Sequence, residues 1–149
     1  MSKYRGRILV IDDDMDFVLL VSSCLQEAGY QVSQAYQGGE GLGKVREEKP
    51  DLIILDVMME SLTEGLRLSY DLRADPRSRD VPILLVTSLN RQLRPFLLGQ
   101  EEAWLPVQGF LEKPVDMGEL VRKVEELLRC SGGARKSAGG TPKPEACKE

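Results

Sequence analysis

Two stretches of the chain, RILVIDDD (Arg7 to Asp14) and DLIILD (Asp51 to Asp56), each run four aliphatic residues straight into aspartate. Unbroken aliphatic runs of this length read as strands covered on both faces, which is the environment of a central strand in a parallel sheet. Two further runs share the pattern. VPILLVT (Val81 to Thr87) ends in the hydroxyls of Thr87 and Ser88, and Gly109 to Glu112 reads as a short buried strand entering Lys113-Pro114. Tyr30 to Ala35 alternates weakly, as a short strand near a sheet edge does.

Helical spacing fills the gaps between these runs. Phe17, Leu20, Val21, Cys24, Leu25 and Ala28 recur on one helical face, Asp14 or a neighbour supplies the cap, and Gly29 supplies the stop. A second helix is expected from about Glu40 to Glu48, although each of Gly38, Gly39, Gly41 and Gly43 costs a helix about 1 kcal/mol. A third is expected from about Glu64 to Arg73, and a last one from Asp116, with Glu119 at capping-box spacing. Strands alternating with helices predict an α/β domain, a parallel sheet with right-handed crossovers and helices on both faces. Between Leu89 and Gln108 the pattern weakens, and Pro95 predicts a shortened or displaced helix.

At 149 residues the chain fits one domain with a full core. The expected organisation is a folded unit over 5–130 and a disordered tail over 131–149, where Gly, Ser, Lys and Pro dominate. The net charge of -4 argues against a nucleic-acid surface. The absence of His excludes imidazole metal sites and His-based triads. Cys24, Cys130 and Cys147 lack paired spacing, which predicts reduced thiols and a cytoplasmic protein. No stretch is apolar for the roughly 18 residues that a membrane span needs, so no membrane partner is expected.

The strand ends carry the chemistry. Asp12, Asp13 and Asp14 follow the opening run, Asp56 the second, Thr87 and Ser88 end the third, and Lys113 follows the fourth. Open α/β sheets place their ligand sites at this carboxyl edge. A lone aspartate after a strand ordinarily serves a turn or cap, a threonine bonds locally, and a lysine before proline projects into water. Convergence of all of them on one sheet edge disfavours those separate readings. Two carboxylates about 5 Å apart repel by about 3 kcal/mol at an effective dielectric near 20. A hard cation such as Mg2+, which prefers oxygen ligands, offsets that repulsion. A carboxylate is also a nucleophile able to form an acyl phosphate, with Thr87 and Lys113 able to meet the new negative charge.

ILVIDDD, PDLIILDVMM, VPILLVTS and FLEKPV, in this order and spacing over about Ile8 to Arg129, resemble the receiver domain of bacterial two-component response regulators. The resemblance implies a flavodoxin-like, doubly wound (βα)5 fold whose five parallel strands lie in the order 2-1-3-4-5. It implies Asp56 as phosphoacceptor and Asp12, Asp13, Asp56 and the backbone carbonyl of Met58 as Mg2+ ligands. Thr87 matches the switch hydroxyl, Lys113 the phosphate-binding lysine and Phe110 the switch aromatic, and the Lys113-Pro114 bond is expected cis. The implied partners are a sensor histidine kinase or histidine phosphotransfer protein as donor and a downstream protein as target. In that reading the chain is a single-domain signalling switch and not an enzyme.

The chain departs from the family pattern in three places. MMESLTEG follows Asp56 where MMPGMDG is usual, lengthening the loop and adding Glu60 and Glu64. Ser88 replaces the usual small alanine, and EEAWLPVQG replaces the usual turn before the last strand. Trp104 in that segment reads as packing beneath an irregular loop more readily than as a binding anchor. Two alternatives remain: a pseudo-receiver that uses the fold for binding without phosphorylation, and a haloacid-dehalogenase-type phosphatase with Asp12 as nucleophile and Asp14 as acid/base.

Overall fold

The computed structural model describes residues 5–56, 62–88 and 108–137. In chain order these form β1 (Arg7–Ile11), α1 (Met15–Glu27), β2 (Gln31–Ala35), α2 (Gly38–Glu48) and β3 (Leu52–Leu55). Then follow α3 (Leu62–Ala74), β4 (Ile83–Thr87), β5 (Gly109–Glu112) and α4 (Met117–Ser137). All strand pairs are parallel, and the sheet order is β2-β1-β3-β4-β5, the order implied by the resemblance.

The aliphatic runs occupy the centre because their alternate residues feed two cores. Leu9, Ile11, Ile53, Leu55, Ile83 and Leu85 pack on one face with Val45 of α2 and Leu68 and Leu72 of α3. Ile8, Val10, Ile54, Leu84 and Val86 pack on the other with Val18, Val21 and Leu25 of α1 and Leu120, Val124 and Leu127 of α4. A strand apolar at every position is what a doubly covered sheet demands. β5 differs from the expected buried strand: Gly109, Phe110 and Leu111 are only half-buried and Glu112 is exposed, because it is an edge strand with a neighbour on one side.

The helix ends follow the sequence signals. The Asp14 carboxylate accepts the Phe17 N–H at 3.2 Å and caps α1, while Gly29, at φ 103°, turns the chain beyond its end. The Asp116 carboxylate accepts the Glu119 N–H at 3.0 Å and starts α4. The glycines of α2 divide into two kinds. A Cβ on Gly41 would lie 2.6 Å from Ile11 Cδ1, whereas one on Gly39 or Gly43 meets nothing within 4 Å. Gly41 therefore permits α2 to lie close on β1. α4 runs to Ser137, through Gly132 and Gly133 and past the boundary at 130 that composition indicates. Helix propagation adds one hydrogen bond per residue without needing apolar burial, so a stretch unable to build a core can still extend a helix. Residues 138–149 and 89–107, the latter with Pro95 and Trp104, lie outside the described residues.

At the end of the sheet away from the aspartates, one side chain extends the ladder. Gln108 N–H donates to Ile83 O at 3.0 Å, and Gln108 Oε1 accepts the Ile83 N–H at 2.9 Å. The same oxygen accepts from Arg73 Nη2, and Arg73 Nη1 donates to Val81 O at 2.7 Å and Arg79 O at 3.0 Å. Burial lowers the Arg73 guanidinium to about 10, opposed by the charge of Asp80, and it stays cationic at neutral pH.

Gly43→Ala should stabilise the fold by about 0.5–1 kcal/mol, because it removes backbone freedom at an open helix position. Gly41→Ala should fall about 1–3 kcal/mol below it, because the methyl overpacks Ile11. Urea titration of both variants checks the ordering. Gln108→Ala should cost about 1–3 kcal/mol by stranding the Ile83 N–H and a contact of Arg73, measurable in the same titration.

Candidate functional site

Sheet register alone brings the site residues together. Ile11 lies opposite Leu55 across β1 and β3, so the next residues, Asp12 and Asp56, emerge side by side. The backbone ladder continues into them. Asp12 N–H donates to Ala35 O at 3.1 Å, Asp56 N–H to Ile11 O at 3.1 Å, and Lys113 N–H to Thr87 O at 3.0 Å. Thr87 closes β4 and Lys113 follows β5 across the Lys113-Pro114 bond, which is cis as expected. Four strands thus present four functional groups along one edge.

The side chains form a closed set of contacts. Thr87 Oγ1 donates to Asp56 Oδ1 at 2.5 Å. Lys113 Nζ donates to Asp12 Oδ2 at 2.9 Å and to Asp56 Oδ2 at 3.1 Å. Asp12 Oδ1 accepts the Asp14 N–H at 3.0 Å. Asp12, Asp56 and Thr87 are buried, with 1%, 5% and 0% of their surface exposed, whereas Asp13 faces solvent. Asp12, Asp13 and Asp56 each offer a carboxylate oxygen within 4.8 Å of the others. That is an oxygen-only donor set of the kind hard divalent cations prefer.

Burial drives the Asp12 carboxyl from its ordinary 3.8 up to about 6. The hydrogen bonds from Lys113 and the Asp14 N–H pull it down, and the charge of Asp56 adds to the rise. For Lys113, burial works against the charged form, but the hydrogen bonds and charges of Asp12 and Asp56 outweigh it. The net result holds the ammonium above its ordinary range. The pocket therefore favours a cation so strongly that it recruits one from its own chain.

The residues singled out from sequence divide clearly. Asp12, Asp13, Asp56, Thr87 and Lys113 converge on one pocket. Asp14 does not join them, because its carboxylate caps α1. Phe110 packs half-buried against the core under α2 and α3, opposite Leu85 and two residues before Thr87's ladder partner Glu112. Ser88 is exposed. Met58 and Glu60 lie outside the described residues, and Glu64 falls on α3. Its spacing in the sequence places Phe17 only on the packing face of a helix. In the structure its ring centroid lies 4.3 Å from Lys113 Nζ. Position supplied a hint, since the first turn of a helix that follows Asp14 borders the same edge, but no pattern links residues 17 and 113.

Comparison with known proteins agrees with this geometry. The family model described as "Response regulator receiver domain" matches residues 8–125. The chain is 38% identical over 123 residues to the DNA-binding dual master transcriptional regulator RpaA of Synechocystis sp., covering 83% of this chain and 49% of that protein. It is 30% identical over 126 residues to protein PilH of Pseudomonas aeruginosa, covering 83% of this chain and 98% of PilH. The chain thus spans about half the length of some relatives, RpaA among them, and nearly all of PilH. Among solved structures, a CheY-like response regulator receiver domain protein from Methanospirillum hungatei superposes with a TM-score of 0.74 at 26% identity, covering 89% of this chain and 99% of that one. Fold, strand-end residues and relatives point the same way: the chain belongs to the receiver-domain family of two-component response regulators.

Proposed function

We propose that this protein is a phosphorylation switch whose unit spans residues 5–130. It accepts a phosphoryl group on Asp56 from the phosphohistidine of a sensor kinase or histidine phosphotransfer protein. The observation that carries this reading is the environment of Asp56: a buried carboxylate with a hydroxyl on one oxygen, an ammonium on the other, and Asp12 and Asp13 alongside. In the transfer, a carboxylate oxygen of Asp56 forms a bond to phosphorus as the phosphorus–nitrogen bond of the donor breaks. The leaving imidazole keeps the electron pair of that bond and takes up a proton. Thr87 Oγ1 and Lys113 Nζ, already at Asp56, are placed to donate to the oxygens of the arriving phosphoryl group. The chain changes state once per transfer, so it acts as a switch rather than a turnover catalyst.

Mg2+ fits the donor set, and Asp12, Asp13, Asp56 and the Met58 carbonyl are the residues proposed to hold it. When bound, Mg2+ neutralises carboxylate charge and polarises the phosphoryl oxygens. Both Asp12 oxygens are already engaged, one by the Asp14 N–H and one by Lys113. Each oxygen keeps a lone pair that a metal could use, and a dication there would repel the Lys113 ammonium from its place. Thr87 and Phe110 supply the readout: the Thr87 hydroxyl turns toward the phosphoryl group, and Phe110 packs beside the same strand. The target is a downstream protein that distinguishes the two states. With net charge -4, nucleic acid is not the proposed partner. Among the described residues no helix is long and apolar enough to cross a membrane, and a cytoplasmic location fits the unpaired cysteine spacing. The use of Asp14 as a helix cap weighs against the dehalogenase alternative, which needs that carboxylate as acid/base.

Incubation with Mg2+ and acetyl phosphate should add one phosphoryl group, detected by intact-mass spectrometry and absent from Asp56→Asn. An adduct that survives in Asp56→Asn, or no adduct from any donor, would sink the reading. Metal linkage supplies a second check. At a hundred times its dissociation constant, Mg2+ should stabilise the fold by about 2.7 kcal/mol. Because Asp12 holds its proton up to about pH 6, the Mg2+-induced rise in melting temperature should shrink as pH falls from 7.5 to 5. Without metal, the native state keeps a proton on Asp12 that the unfolded chain releases near 4. The Asp12 contribution to stability therefore declines as pH rises from about 4 to about 6. Asp12→Asn should remove that contribution and most of the Mg2+ response.

A further inference from the structure

Lys113 Nζ has three N–H donors. Asp12 Oδ2 takes one at 2.9 Å and Asp56 Oδ2 another at 3.1 Å. The ring of Phe17 lies against the same nitrogen, its centroid 4.3 Å away, within the range at which an aromatic face attracts a cation. Water competes little for the remaining donor, since only 18% of the lysine side chain is exposed. The ring itself is anchored. Phe17 packs half-buried against the core under α1 and α4, and the Asp14 carboxylate that caps α1 accepts its N–H. The same cap residue donates its own N–H to Asp12. The start of α1 thus fixes both a carboxylate and an aromatic face around one ammonium.

We propose that Phe17 is the positioning residue for Lys113, an inference that rests on the phosphoacceptor reading of Asp56. A metal at Asp12 would repel Lys113 and weaken its hold on one of its two carboxylates. The aromatic face and Asp56 then keep the ammonium beside the reacting carboxylate instead of letting it swing into solvent. Holding one cation next to another works against metal affinity while favouring capture of the phosphoryl group. Phe17 therefore has opposite effects on the two steps, which a residue that merely fills space does not.

The test compares Phe17→Leu, which keeps apolar volume without an aromatic face, with Phe17→Tyr, which keeps the face. In metal-free protein, nuclear magnetic resonance of the Lys113 ε-methylene should show an upfield ring-current shift in wild type and Phe17→Tyr that is lost in Phe17→Leu. Calorimetry should find Mg2+ bound about threefold to tenfold more tightly by Phe17→Leu, the range expected from an aromatic–cation contact. At saturating Mg2+, phosphorylation by acetyl phosphate should slow by a similar factor. Phe17→Tyr should restore both. In a Lys113→Met background, Phe17→Leu should leave Mg2+ affinity unchanged, since the held cation is gone. Weaker Mg2+ binding together with slower phosphorylation in Phe17→Leu would indicate a structural defect and overturn the proposal. Identical behaviour of the Leu and Tyr variants would also overturn it. If wild type accepts no phosphoryl group, the phosphoacceptor reading fails, while the resonance shift and the Mg2+ affinities still decide the role of Phe17.

Discussion

Two buried carboxylates held side by side need a positive charge between them, and Lys113 supplies it. The need arises from sheet register rather than side-chain choice. β1 and β3 are parallel neighbours with Ile11 opposite Leu55, so an aspartate after each run lands beside the other. Repulsion on the order of 3 kcal/mol for such a pair is a sizeable fraction of a domain's net stability. The lysine arrives from β5, two strands beyond β3 in the sheet, and reaches both carboxylates. One ammonium therefore links the first strand of the chain to the third and last.

Much of this arrangement was legible before the structure. The four aliphatic runs identified their strands to within two residues, because an uninterrupted apolar run has few other places to go in a protein of this size. Asp12, Asp13, Asp56, Thr87 and Lys113 were legible as a group because strand ends share one edge once the sheet is parallel. What stayed hidden was contact between residues far apart in sequence that no periodicity connects. Phe17 carried a helical-face signal that a packing role already explained. Gln108 sat in a segment of weak pattern, and its side chain acts as a piece of backbone ladder. The α2 glycines cost helix stability, but Gly41 offsets its share through the approach of α2 to Ile11, visible only in three dimensions. The edge character of β5 does not show in the sequence because Gly-Phe-Leu is as apolar as a buried strand, while burial depends on how many neighbours the strand has.

The two ends of the sheet solve different problems with similar tools. At one end, Arg73 donates into the carbonyls of the loop before β4 and into Gln108, closing a polar network around the chain's entry into the sheet. The acceptors named here are neutral carbonyl and amide oxygens. At the other end, Lys113 meets two charged acceptors that a metal or a phosphoryl group can claim. Both cations lose solvation on burial. Only the one held by carboxylates stands to be exchanged.

The ladder hydrogen bonds of Asp12, Asp56 and Lys113 carry a consequence for how such a switch can move. These backbone groups are bonded as strand residues are, those of Asp12 and Asp56 next to the most completely buried part of the sheet and that of Lys113 at its half-buried edge. Opening those of Asp12 and Asp56 means breaking the centre of the sheet, a global event, so these two amides belong with the slowly exchanging ones. Among the described residues at this edge, side-chain torsions are the motions open at free energies far below global unfolding: the hydroxyl of Thr87, the ammonium of Lys113, the ring of Phe110. Such rotations complete in picoseconds to nanoseconds at exposed sites and more slowly when packed. The sheet can therefore stay intact while those side chains turn.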